Sequence, residues 1–219
     1  MQFRFFYIAI TVILLVQGKF SCAQSNVSLK YFGMTIHPFG DYSADIQPYR
    51  LDKKAYFVLN FGGYASYEHF IWLDMLSVRI KQGVFTDCSA GMMGVSHLGL
   101  QMNLLEKKKH KLSFGLGPTL IYRESWNRFP EYKESGFWHK YSSPKAGDIQ
   151  YKVILYGCEF EYDYTVSPTT DLSVGFTPGF PFAFTFSFGI KHWFNKDFKT
   201  RVKLVTPPRQ KPEKKDVDK

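Results

Sequence analysis

Two places in this chain set reactive side chains near one another. His37 and Asp41 lie at one strand end, and Asp87, Cys88 and Ser89 lie at another. A thiol nucleophile with a histidine base and an orienting carboxylate can be drawn from these residues, and so can a metal site. Neither has a diagnostic spacing. Ser96 and His97 set a hydroxyl beside a base. Neighbours on a strand point to opposite faces, so these two do not form a nucleophile–base pair, and His97 reads as structural. There is no phosphate-binding glycine-rich loop, no CxxC pair and no HExxH. The sequence implies no cofactor and no metal.

A second set of charges recurs at alternating positions. Arg79, Lys81 and Arg123 share the parity of Glu68, Glu159, Glu161 and Asp163. On strands, that parity sends all of them to the face opposite the apolar side chains. Charges removed from water need partners, so the expected arrangement is a packed ion-pair network.

The longest connection, Glu124–Asp148, holds a third set. Trp126, Arg128, Tyr132, Trp138 and Lys140 interleave rings with cations, a mixture suited to sugar faces, protein partners or anionic headgroups. These five are the candidate binding residues.

The elements that position these sets are strands. Alternation and turn signals place them at Ser28–His37, Ala55–Phe70, Met75–Thr86, Ser89–Leu105, Lys111–Arg123, Ile149–Thr165, Asp171–Thr177 and Phe184–Phe194. In the first, Phe32, Met34 and Ile36 are expected on one face and Tyr31, Gly33 and Thr35 on the other. The last is the most regular. Phe184, Phe186, Phe188, Ile190, His192 and Phe194 alternate with Thr185, Ser187, Gly189, Lys191 and Trp193. Apolar groups outside and small or polar groups inside fit a membrane β-barrel with a filled lumen. Short connections near Trp72–Asp74, Glu106–His110 and Val166–Thr170 fall at one end. The long ones, Pro38–Lys54 and Glu124–Asp148, fall at the other.

Aromatic residues make up 18% of the 219-residue chain, with 22 Phe, yet charged residues make up only 21%. The net charge is +9, of which residues 1–23 carry +2 and the tail 195–219 carries +5, leaving a nearly neutral body. The body shows no basic stripe, which excludes nucleic acid as a partner. Residues 1–23 read as a signal peptide: a cationic start, an apolar run from Phe5 to Val16, and Ser21-Cys22-Ala23 before a cut at Gln24. The predicted organisation is a signal at 1–23, a barrel at 24–194 and a disordered basic periplasmic tail at 195–219. Cys88 at a turn and Cys158 in mid-strand, with the parity of the apolar face, are not placed to pair.

Ser187 to Phe194, with Gly189 and a terminal Phe194, resembles the C-terminal assembly signal of Gram-negative outer-membrane barrels. Val27–Phe194 as a whole resembles the small eight-stranded members of that group. The resemblance implies an all-β, eight-stranded antiparallel transmembrane barrel in the outer membrane of a Gram-negative bacterium. It further implies contact with outer-membrane lipids and lipopolysaccharide and with the barrel-assembly machinery. A structural or surface-interaction role follows, with an extracellular protein or glycan met by the long loops. The alternative is a lipid-directed enzyme of the lipid A deacylase or acyltransferase type. Deacylases of that kind carry His-x-Ser on one strand face, whereas Ser96-His97 has another order and spacing, so the activity is not carried over. A soluble lipocalin-like binder would need an apolar lumen, contrary to the inward charges.

Overall fold

The computed structural model describes residues 24–72, 75–132, 149–179 and 183–194. The strands are β1 (Ser25–Ile36), β2 (Phe57–Leu59), β3 (Gly62–Trp72), β4 (Leu76–Thr86), β5 (Met92–Lys107), β6 (His110–Glu124), β7 (Ile149–Ser167), β8 (Thr170–Gly179) and β9 (Ala183–Trp193). Each pairs antiparallel with its neighbour, and β1 pairs with β9 from Asn26↔Trp193 to Ile36↔Phe184, so the sheet closes on itself. Short β2 and long β3 face successive parts of β1, Thr35↔Val58 above and Leu29↔Ala65 below. Together they form one interrupted stave, and the barrel has eight staves. Closure leaves no unpaired edge.

The distribution of polarity is inverted relative to a water-soluble domain. Leu29 is 64% exposed, Ile80 57%, Leu98 50% and Phe188 58%, all on the outer wall. Arg79 and Glu161 are buried at 2% and 1%, inside. An apolar belt of this extent is far larger than the patches that soluble monomers expose, and hydrocarbon is the solvent that it matches. No described helix is long and apolar enough to cross a membrane; the crossing elements are strands.

Three strand expectations need correction. The first strand starts at Ser25, three residues before the expected Ser28, which adds Asn26 to the lumen face beside Ser28 and Lys30. It also contains a bulge between Phe32 and Met34. The bulge reverses parity, so Phe32 points inward, where its ring stacks on Phe85 with centroids 3.9 Å apart. The second expected strand is broken: Ala55 lies at φ 52° in the preceding turn, Asn60 and Phe61 separate β2 from β3, and β3 opens on Gly62 at φ 137°. Only glycine fits there, because a Cβ would come within 2.4 Å of the Phe85 Cα. The fourth begins at Met92 rather than Ser89. The Asp87 carboxylate accepts from Ser89 N and Gly91 N, both at 2.9 Å, and holds residues 87–91 in a turn.

Candidate functional site

The lumen is built around Arg79 on β4. Its Nη2 donates to Glu161 Oε1 at 2.6 Å and its Nη1 to Glu161 Oε2 at 2.9 Å, a two-pronged bridge across the barrel. Nη2 also reaches Glu68 Oε2 at 3.0 Å, and Glu159 Oε2 lies 3.7 Å from Nη1. Lys81 donates to Glu159 Oε2 at 2.8 Å. Lys30 and Lys191 both donate to Glu161, and Lys191 also reaches Asp163 Oδ2 at 2.5 Å. Hydroxyls and amides complete the carboxylates: Asn26 Nδ2 donates to Glu68 at 3.0 Å, Ser77 Oγ to Glu68 at 2.5 Å and Tyr64 Oη to Glu159 at 3.2 Å.

The charges balance. Among the described residues, the buried cations are Lys30, Arg79, Lys81, Lys111, Arg123 and Lys191. The buried anions are Glu68, Asp87, Glu159, Glu161, Asp163 and Asp171. Burial of a charge is tolerable only when a counter-charge and hydrogen bonds meet it, and the alternating strands deliver both. At the short-turn end the set is capped by Trp193 and Phe70, whose rings lie 5.7 Å apart. Lys111 Nζ sits 4.9 Å from each of the two ring centroids, and Trp193 Nε1 donates to Asp171 Oδ2 at 2.6 Å.

Of the seven charges expected to act together, Arg79, Lys81, Glu68, Glu159, Glu161 and Asp163 meet in mid-lumen. Arg123 stands apart at the opposite mouth. Its Nε donates to Gln150 Oε1 at 2.9 Å, and its guanidinium lies 3.9 Å over the Trp126 ring. Sequence reading passed over Lys30, Lys111, Lys191 and Asp171. Lys191 was visible in the last strand's polar face, whereas Lys30, inside the expected first strand, shares the parity of Phe32 and so was placed with the apolar side chains; the bulge between Phe32 and Met34 is what turns both inward.

The candidate binding residues divide. Trp126 is buried, with its Nε1 donating to Asp87 Oδ2, and its ring packs edge-on against Tyr132 at 5.5 Å. Burial holds the Asp87 carboxyl above the ordinary range, against the pull of its hydrogen bonds to Trp126 and Ser89. Arg128 is on the surface, paired with Glu124 and lying 4.7 Å from the Phe129 ring. Trp138 and Lys140 lie outside the described residues.

At the same mouth Cys88 Sγ lies 3.5 Å from His37 Nε2, and His37 Nδ1 lies 3.9 Å from Asp41 Oδ2. The order is that of a thiol triad, but the electrostatics are wrong for one. Burial, with Asp87 and Asp41 nearby, pushes the thiol up to about 12, so it stays protonated at neutral pH. Cys88 and Cys158 are both free. His97 turns inward, with Nδ1 2.6 Å from Thr119 Oγ1, while Ser96 Oγ donates to Gln82 Oε1 at 2.5 Å. The two do not meet.

No protein-family model matches the sequence, and no curated protein matches it. Solved structures do resemble it. Neisserial surface protein A shares 10% identity over 78% of this chain and 97% of its own, with a TM-score of 0.45. Ail of Yersinia pestis, in complex with the heparin analogue sucrose octasulfate, shares 13% over 78% and 99%, with a TM-score of 0.45. The N-terminal β-barrel domain of Pseudomonas aeruginosa OprF shares 12% over 79% and 100%, with a TM-score of 0.43. At such identities the likeness is one of fold.

Proposed function

We propose that this protein is an outer-membrane barrel of a Gram-negative bacterium whose role is structural or surface-interacting, with recognition assigned to its long loops. The observation that carries the reading is the division of labour in the molecule. The wall is apolar and the lumen is crossed by buried ion pairs of opposite charge. Neither offers a reactive group to a soluble substrate. The long connections emerge at one rim, where Arg123, Trp126 and Asp87 fix the start of the loop that follows β6. Rigid scaffolds place recognition on such loops. In this reading the rim with the long connections faces the exterior. The short turns, with the first residues of β1 and the last of β9, face the periplasm, as in known outer-membrane barrels.

The experiment is a loop deletion. Wild-type protein is expected to fractionate with the outer membrane and to migrate faster unheated than boiled. A variant lacking Arg128–Lys145 keeps both properties, because Glu124↔Ile149 and the rest of the β6–β7 ladder pair without those residues. Both proteins, carried in nanodiscs, are then applied to a panel of extracellular-matrix proteins and glycans. Binding by wild type that the deletion abolishes supports the reading. Wild-type protein in the soluble periplasm overturns the location, and equal binding by the two proteins overturns the role of the loop.

A further inference from the structure

The turn between β5 and β6 is the most basic short turn of the barrel. Lys107 pairs with His110, and Lys108 and Lys109 form the two-residue tip. All three lysines are exposed. Lys108 sits at φ 55°, a left-handed position normally given to glycine or asparagine. The comparable turn between β7 and β8, with Ser167 opposite Thr170, has Pro168 and Thr169 at its tip and no charge.

Beneath the lysines the wall is aromatic and apolar. His110 Nδ1 lies 2.6 Å from Tyr162 Oη, and the His110 ring lies 5.3 Å from that of Tyr164. Lys109 Nζ stands 5.9 Å from the Tyr164 centroid. Leu104 and Leu105 are exposed on the same wall. The one acidic neighbour in the turn, Glu106, lies across the ladder from Lys111. Three exposed lysines therefore stand at the turn beside Tyr162, Tyr164 and His110, next to the apolar outer wall. Tyrosine and histidine rings sit at headgroup depth in a bilayer, and lysines just beyond them reach phosphate oxygens.

We propose that the Lys107–Lys109 turn, with His110, Tyr162 and Tyr164, is a binding site for the headgroup of an anionic phospholipid in the leaflet on the short-turn side. Charge complementarity selects the phosphodiester with a net negative headgroup over a zwitterionic one. The apolar wall below holds the tails, which a soluble phosphoester lacks. The proposal rests on the reading that the chain spans a bilayer.

The test uses the full barrel in vesicles of phosphatidylcholine containing a minor fraction of phosphatidylglycerol. Heat-modifiable migration first establishes insertion. Failure to insert would sink the membrane reading, and with it this site. For inserted protein, native mass spectrometry counts the lipids retained. Wild type is expected to retain phosphatidylglycerol about tenfold or more above its share, since each lysine near an anionic surface contributes severalfold. The variant Lys107→Ser/Lys108→Asn/Lys109→Ser, which keeps a residue suited to the left-handed position, is expected to lose most of the enrichment. Lys53→Ser/Lys54→Ser at the opposite rim is expected to keep it. Wild type without enrichment, measured before any variant is made, overturns the proposal, and so does equal enrichment in the turn variant. Displacement of the lipid by millimolar glycerol phosphate would mean that a free phosphoester is the ligand, and would overturn the lipid assignment.

Discussion

Arg79 and Glu161 are 82 residues apart in sequence and face each other across the lumen with two parallel hydrogen bonds of 2.6 and 2.9 Å. Neither is more than 2% exposed. Glu161 also receives Lys30 and Lys191, so one carboxylate holds cations from three strands. It is the electrostatic hub of the barrel.

Glu161→Gln is expected to destabilise the barrel by roughly 3–5 kcal/mol, because it leaves buried cations short of a partner. Adding Arg79→Met should recover part of that loss. Unfolding in urea from lipid vesicles gives both quantities. A double-mutant cycle in which the two changes are simply additive would show that the hub carries no coupling.

Two glycines should respond differently to one methyl group. A Cβ on Gly189 would sit 2.0 Å from Leu29 O, inside the β1–β9 seam, where only backbone could give way. A Cβ on Gly33 would meet the rings of Phe188 and Tyr31 at 3.2 Å, and those can shift. Gly189→Ala is expected to abolish the heat-modifiable form, whereas Gly33→Ala keeps it. Normal closure of the Gly189 variant would contradict the seam geometry.

Asp87 gives a pH signature. Its carboxyl is raised by burial, so the folded state holds the proton more tightly than the unfolded chain does. Its contribution favours folding below the ordinary carboxylate pKa and is lost as pH rises through the folded value. Asp87→Asn, which keeps an acceptor for Trp126, should flatten stability over the mildly acid range just above the ordinary carboxylate pKa. Urea midpoints measured in steps across that range provide the comparison. Parallel curves for the two proteins would refute the assignment.

Cys88 should be a sluggish thiol. Raised from 9.0 to about 12, it carries roughly a thousandfold less thiolate at pH 8 than an ordinary cysteine, and alkylation follows thiolate fraction. Iodoacetamide labelling of the Cys158→Ser protein should be slow when folded and ordinary in denaturant. Fast labelling of the folded form would return the Cys88, His37 and Asp41 cluster to consideration as a reactive site.

Much of the fold was legible because a barrel wall has one rule, the period of two, and the sequence obeys it over most of its length. The ladder from Ala183 to His192 against β8 follows it without a break. Legibility failed where local backbone overrides the period. The bulge at Phe32/Met34 reverses parity at Gly33, and a glycine there fits an unbroken strand facing a narrow lumen as well as it fits a bulge. The turn at Asp87 is held by one carboxylate's contacts with residues two and four positions on, and this looks like strand in an alternation count. The lumen charges were readable as a set, since parity alone sends Arg79 and Glu161 inward. Who pairs with whom was not, because β4 and β7 are not neighbours and only the diameter of the closed sheet brings them together. Trp126 shows the same limit at the mouth. A tryptophan among cations looks like a recognition group, and its partner Asp87 lies 39 residues earlier on another turn.

The seam between β1 and β9 also sets a clock. Lys30 arrives with the first strand and Lys191 with the last, and both end on Glu161 of β7. Until β9 docks, Glu161 and Asp163 lack Lys191, and one face of the unfinished sheet carries surplus negative charge. Hydrocarbon rejects such a face, so the chain stays at the water boundary until its final strand is delivered. Ring completion and pairing of the lumen charges therefore coincide in the geometry, and the expected consequence is that an incomplete sheet inserts poorly. A chain ending before Ala183 should accordingly remain extractable by alkaline carbonate while the complete chain resists it.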